Sequence, residues 1–473
     1  MRILQVTHLY PPNHLAGVEV FASTIARLLA DAGHEVAVLT TDKDIARPDL
    51  ALRRREHEGL PVFELTNNLF AHSFDETWRR PAIDEVFRGV LDETRPDVVH
   101  VHHLLYLSAG ILDVCRERGV PVVMTMHDFW LGCARFGQLL HADGTRCPHI
   151  DVERCGTCLP SLSWRQSDVA RRVAGGVARI RRATGVDLSG PLRSLRARAV
   201  SGNEASFEQP APDASATFER LAAARRDDLV ATVDRCVDRV VLPAAFMRPW
   251  YERLGLAPDR IVVETTGVDW DGARRFDRVE RGDGEPVRCL FLGSVVPHKG
   301  AHVLLDAWER LDPATRDRAR LRVLGPDRHR PDYTLGLRAR GEPLGVTFGG
   351  RLSRDEVRRE MARTDLLVTP SLWTEIRPLV MLEAYAAGAR NVATDLGGMG
   401  EMIRDGVPGR LFPEGDADAL RDALEAEIAH ALEPRSGPPE RREPSPLFRG
   451  WPEIARALEG HYRDVCDSSP SAS

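Results

Sequence analysis

Two carboxylates eight residues apart bracket what reads as the start of a helix: Glu375 and Glu383 within Pro370-Ser-Leu-Trp-Thr-Glu-Ile-Arg-Pro-Leu-Val-Met-Leu-Glu-Ala-Tyr-Ala-Ala-Gly388. Pro378 suits the first helical position, where a missing N–H costs nothing, and Gly388 suits the C-terminal stop. Glu375 then lies in the loop before the helix and Glu383 about one and a half turns inside it. Between them the unpaired N–H groups around Leu379, with the positive end of the helix dipole, make a seat for a phosphate-like anion. Glu383 could accept hydrogen bonds from a ribose diol, and Glu375 could meet hydroxyls beyond the phosphates. The set fits a nucleotide diphosphate-sugar, although acidic residues favour helix starts in any case.

Other candidates lie just after strand-like runs. Gly293-Ser-Val-Val-Pro-His-Lys299-Gly300 follows Val287–Leu292, where a lysine can reach a phosphate, yet it does not match a Walker A loop. Lys299 stands out because Lys43 is the chain's only other lysine, so a compact ammonium is kept where arginine is otherwise used. Gly17, between the first strand and a helix, has no Cβ to keep a ligand from its backbone. His127, in Met126-His127-Asp128, could donate to a sugar hydroxyl or a phosphate oxygen. A core histidine satisfied by backbone is the alternative.

The elements that must position these residues form two series. Ile3–Thr7, Glu35–Thr40, Val98–Val101 and Val120–Thr125 read as strands, with a helix over Val20–Ala32. Val287–Leu292, Leu321–Leu324, Val346–Phe348, Leu366–Thr369 and Asn391–Thr394 form the second series, with helices over Ala301–Arg310, Arg354–Arg363 and Pro378–Ala387. Such alternation predicts α/β architecture with parallel sheets covered on both faces. Two doubly wound, Rossmann-like domains facing a cleft are expected, over 1–265 and 266–435, with a last helix over 447–466 returning to the first domain. A helical insert is expected over about 161–235. Its segment Ala170–Arg182 is rich in arginine, which would suit contact with an anionic surface or a solvated charged face. The stretch from Pro434 to Pro446 reads as a linker.

Bulk properties bound the function. At 473 residues with 43% hydrophobic and 28% charged residues, the chain reads as globular and multidomain. A formal charge of −6 gives no support to nucleic-acid binding. No signal pattern opens the sequence and no apolar run reaches bilayer length; a cytoplasmic location is expected, with peripheral membrane association open.

Cys133, Cys147, Cys155 and Cys158 cluster within 26 residues, ending in a C-x2-C pair. Four soft ligands so placed could hold a structural Zn²⁺ and pin the excursion after His127. Four unlinked thiols are the alternative.

Together these motifs resemble a GT-B fold retaining glycosyltransferase of family 4, also described as glycosyl transferases group 1. The resemblance rests on Tyr10-Pro-Pro with Gly17-Val-Glu19, Pro96 to His102, His127-Asp128, Val237 to Pro243, Thr266 to Asp269, Gly293 with Lys299-Gly300, Gly325, Glu375 to Glu383, and Gly397-Gly-Met-Gly-Glu401. It implies that Glu375 contacts the donor sugar and that His127 lies near the anomeric centre, these two being the catalytic pair. It further implies that Glu383 holds the ribose, Lys299 binds the diphosphate and Gly17 lets the first domain close on the donor. Ser294, Arg351, Ile376, Arg377 and Leu379 complete the expected donor site. The donor would be a UDP- or GDP-sugar, the acceptor is unspecified, and catalysis would require no metal cofactor. Where the family usually has arginine after the strand glycine, Ser294 stands here, a loss of roughly 1.5–3 kcal/mol unless Arg351 or Arg377 replaces it. A GT-B epimerase and a non-catalytic nucleotide-sugar binder are the competing readings.

Overall fold

The computed structural model describes residues 1–45, 47–162, 164–165, 214–268, 278–327, 330–433 and 448–468, with single positions between 165 and 214. The chain divides into two compact units. The first holds Met1–Leu242, Pro249–Val262 and Ala455–Ser473; the second holds Pro243–Arg248 and Val263–Ile454.

Among the described residues the first unit is built on eight strands: β1 Arg2–Val6, β2 Glu35–Asp42, β3 Leu52–His57, β4 Leu60–Thr66, β5 Val98–Val101, β6 Val122–Thr125, β7 Arg239–Leu242 and β8 Ile261–Val263. Their order is β3-β4-β2-β1-β5-β6-β7-β8. β1 pairs parallel with β2 and β5, and β5 parallel with β6, whereas β3 runs antiparallel to β4. β5 and β6 are buried at every position, as short apolar strands covered on both faces must be. Polar His100 on β5 is 0% exposed and satisfied on both sides, by the Tyr462 hydroxyl at 2.6 Å and by Thr125 Oγ1 at 2.8 Å.

The second unit has six strands among the described residues: β9 Val287–Leu292, β10 Ala319–Leu324, β11 Thr347–Gly349, β12 Leu366–Thr369, β13 Arg390–Thr394 and β14 Gly409–Phe412, in the order β11-β10-β9-β12-β13-β14. Every pair is parallel. Alternation along the strands sorts the core into two clusters: Val287, Cys289 and Phe291 of β9 with Leu366 and Val368 of β12 pack beside Trp308, while Leu290 and Leu367 pack beside Met381 and Met399. Chain order reverses between β9 and β12, so the loops leaving their C-termini diverge at a switch point, where doubly wound sheets bind ligands.

The expected insert is only partly described. Its final helix, Ala214–Cys236, packs in the first unit, where Gly156 leaves room for the Ser215 carbonyl. The expected segment 170–182 and the linker 434–446 lie outside the described residues, single positions apart. The last helix runs from Trp451 to Ser468. Among the described residues no helix is long and apolar enough to cross a membrane.

Candidate active site

In the second unit the two switch-point loops are locked together. The loop after β9 makes one 3-10 turn, Pro297–Lys299, and enters the helix Ala301–Glu309 through Gly300 at φ +74°. A Cβ at Gly300 would lie 1.8 Å from the Pro370 carbonyl oxygen in the loop after β12. Only glycine permits that approach. Leu372 N–H also donates to the His298 carbonyl at 2.8 Å.

This contact brings Lys299 to Glu375. The Lys299 ammonium makes an ion pair with Glu375 Oε1 and lies 4.8 Å from the centre of the Trp373 ring, while Ser371 Oγ donates to the same carboxylate oxygen at 3.0 Å. Burial alone would push the Glu375 carboxyl up; the Lys299 ammonium and its hydrogen bonds outweigh that and hold it below the ordinary carboxylate range. Burial, and then the charge of Lys299, push His298 down to about 4, so it is neutral beside the lysine.

The helix bearing Glu383 runs Leu379–Ala386, with Pro378 at the capping position rather than the first helical one, and no side chain caps it. In its first turn Met381 N–H donates to the Pro378 carbonyl at 3.0 Å, which leaves the N–H groups of Leu379 and Val380 directed out of the helix start. Met381, Leu382, Ala384 and Tyr385 are buried, and Glu383 is half-buried. At the other end Gly388 N–H reaches the Tyr385 carbonyl and Ala389 N–H the Ala384 carbonyl, at 3.0 and 2.9 Å, with Gly388 at φ +79°. That is the Schellman stop expected of glycine.

A feature unassigned by sequence reasoning braces Glu375 from behind. Gly398 N–H donates to the Glu375 carbonyl at 2.8 Å, and a Cβ at Gly398 would lie 1.5 Å from the Ile376 carbonyl oxygen. Gly397-Gly398 therefore lets the start of the helix Gly397–Arg404 touch the Glu375-Ile376 backbone. The doubled glycine was the signal for it.

The two arginines expected to stand in for the missing cation differ in setting. Arg377 is 7% exposed, packed over Phe448 and pushed down to about 10 by burial, whereas Arg351 is exposed just beyond β11. Ser294 is half-buried beside Gly293.

In the first unit His127 follows β6. Its Nε2 lies 3.3 Å from His102 Nδ1, and its ring meets Phe21 edge-on at 4.9 Å. His102 in turn is hydrogen-bonded to Gln5. Burial, and then neighbouring His103, push His127 down to about 3, so it is a neutral imidazole at ordinary pH. Asp128 is fixed by His103 Nε2 at 3.0 Å and by Trp130 N–H at 2.7 Å. Gly17 begins the helix Gly17–Asp31, and a Cβ there would meet nothing within 4 Å. His8, whose ring is 4.6 Å from His103, was not foreseen, and Glu19, 3.6 Å from His8, was part of the Gly17-Val-Glu19 motif without a role; His8 is half-buried on the loop after β1 and Glu19 buried on the helix that follows.

Comparison with known proteins gives the class and then the family. The Anabaena protein HepE, solved in complex with UDP, matches with a TM-score of 0.55 at 15% identity over 99% of this chain and 98% of that one, which makes the fold GT-B. The model for glycosyl transferases group 1 matches residues 286–430 and that for Glycosyltransferase Family 4 matches 15–149. A D-inositol 3-phosphate glycosyltransferase of Geodermatophilus obscurus is 31% identical over 368 residues, 74% of each protein. A GDP-mannose-dependent alpha-mannosyltransferase of Mycolicibacterium smegmatis is 25% identical over 98% of each. The chain belongs to the group 1, family 4 glycosyltransferases.

Proposed function

We propose that this glycosyltransferase moves a sugar from a UDP- or GDP-sugar to an acceptor hydroxyl of a glycan, a lipid-linked sugar or a natural product, with retention at the anomeric carbon and without a catalytic metal. The observation that carries this reading is the Lys299–Glu375 pair at the switch point, in the unit that also holds the uncapped start of the Leu379 helix. As the bond from the anomeric carbon to phosphate breaks, negative charge grows on the leaving diphosphate. The Lys299 ammonium and the first-turn N–H groups would stabilise that charge in the role a metal plays elsewhere.

Glu383 would hold the ribose hydroxyls. Glu375, kept ionised by Lys299, would accept from the donor sugar's hydroxyls. The acceptor oxygen would join the anomeric carbon on the face the phosphate leaves, and its proton would pass to the departing phosphate oxygen. Neutral His127 would donate a hydrogen bond near the reacting carbon without adding a second cation. The UDP held by HepE and the GDP-mannose in the mycolicibacterial relative's name support the donor class and leave the base at uracil or guanine.

The test is a thermal-shift panel of nucleotide-sugars, in which a true donor at about 100 times its Kd adds about 2.7 kcal/mol to the folded state. Transfer with the selected donor is then followed by NMR with a chelator present. A product of retained configuration is expected. Isomerised donor without acceptor would indicate the epimerase, binding without turnover would indicate the binder, and loss of activity to the chelator would refute metal independence.

A further inference from the structure

The excursion that follows Asp128 gathers four thiols at one place. Cys133, Cys147, Cys155 and Cys158 are all free and line a single cavity with His141 and His149. Three separate local structures deliver them. Cys133 closes a tight turn through its N–H to the Phe129 carbonyl at 2.8 Å. Cys147 lies on the return arm of a small hairpin, held by the Leu140–Arg146 bridge and by its N–H to the Leu139 carbonyl at 2.7 Å. Cys155 and Cys158 lie one turn apart on the helix Val152–Cys158, whose first turn is capped by Asp151.

Three arginines lie near them, and Asp151 lines the same cavity. Arg225 is 2% exposed, its Nη2 donates to the Trp130 carbonyl at 2.8 Å, and its Nη1 is buried without a hydrogen-bond partner among the described residues. That guanidinium acts electrostatically on Cys133, Arg154 acts on Cys147, and Arg135 Nη1 lies 4.0 Å from Cys158 Sγ. Asp128 and the Trp130 ring, 4.5 Å from the guanidinium, offset the burial of Arg225 in part, and four neutral thiols add nothing to that. Beside thiolates the guanidinium is compensated.

We propose that Cys133, Cys147, Cys155 and Cys158 bind one structural Zn²⁺. The four thiols release four protons and the metal joins four thiolates, leaving a centre of net charge −2 that faces the three arginines. His141 is engaged with Thr157 at 3.2 Å and Asp143 at 3.1 Å, and His149 is exposed, so sulfur completes the set. Among the described residues no group of three ligating side chains is arranged to hold a metal ion; binding would require the thiols to turn about χ1 to reach a Zn–S distance of about 2.3 Å. The centre would take no part in the reaction. It would brace the site, because the same excursion folds back at Gly137, where an added Cβ would lie 2.5 Å from Asp128 Cγ and the Gly137 carbonyl accepts from Phe129 N–H.

The full chain, purified without chelator from cells grown with added zinc, is assayed by elemental mass spectrometry, independently of any transfer activity. About one zinc per chain is expected, retained in Cys289→Ser and lost in Cys155→Ser/Cys158→Ser. Should the double variant fail to fold, cobalt exchange into the wild-type chain decides: tetrahedral thiolate coordination gives intense visible and near-ultraviolet sulfur-to-metal bands. Metal-free wild-type chain that shows no such bands with cobalt, or a disulfide among the four cysteines on peptide mapping, would overturn the proposal.

Discussion

Replacing Gly300 by alanine should damage both the stability of the second unit and its chemistry. The new methyl would sit 1.8 Å from the Pro370 oxygen, and φ at that position is +74°. The left-handed conformation costs roughly 1–2 kcal/mol for a residue with a Cβ, and overpacking adds about 1–3 kcal/mol. A loss of about 2–5 kcal/mol follows. The clash is with backbone, so it can be relieved only by parting the two loops by roughly 1 Å, a misplacement able to cost on the order of 100-fold in turnover. Those loops carry Lys299 and Glu375. Urea unfolding measures the first effect, and kcat/KM with a fixed nucleotide-sugar donor measures the second. Gly89→Ala is the control: nothing lies within 4 Å of a Cβ there, and in a helix interior the change should stabilise by roughly 0.5–1 kcal/mol. Wild-type stability and kinetics in Gly300→Ala would show that the loop contact does not position the site.

Lys299→Ala should weaken donor binding by roughly 1.5–3 kcal/mol, about 10- to 100-fold in Kd by calorimetry. It should also move the acidic limb of the rate profile to higher pH. Lys299 depresses the Glu375 carboxyl against burial, so without it burial prevails, and the carboxylate form is lost at a higher pH as pH falls. An unmoved limb would separate Glu375 from the rate. Glu375→Ala and His127→Ala should slow transfer by on the order of 100-fold while changing donor Kd less than Lys299→Ala does, as expected of groups that act mainly in the transition state; equal losses in Kd and kcat/KM would contradict that. His100 is held neutral, its imidazole pushed by burial from 6.5 to about 3. A folded-state value below the unfolded one means stability is present above about 6.5 and lost on acidification, about 1.4 kcal/mol per pH unit for this histidine. The urea midpoint of the first unit should therefore fall between pH 7 and pH 5, and less so in His100→Gln.

Much of the fold was legible because the central strands obey one rule. Val98–Val101, Val287–Leu292 and Leu366–Thr369 are mostly apolar runs, broken inside only by His100 and Arg288, and the structure gives them the limits that the sequence suggests. β3 broke the rule. Leu52-Arg-Arg-Arg-Glu-His57 shows no apolar alternation, since Arg53 and Arg55 both pair with Glu64 on β4, which is 6% exposed. The strand is held by charge, and periodicity is blind to that. At the site, Gly388 announced itself as a glycine at a helix end, whereas the close approach at Gly300 did not. The pairing of Lys299 with Glu375, 76 residues apart, follows from strand order, which no local pattern contains. His127 was a candidate from the sequence, but its grouping with His8, His102 and His103 was hidden for the same reason: they become neighbours only when the strands before them lie side by side.

Tyr462 is wholly buried and hydrogen-bonded to His100 in the middle of the first sheet, although more than 360 residues of chain separate them. The first unit thus depends on a segment that is translated after every described strand of the second unit. During synthesis its central strands wait with a polar group uncovered at their centre. Cutting the gene before the codon for Ala455 should leave that half without its closing piece.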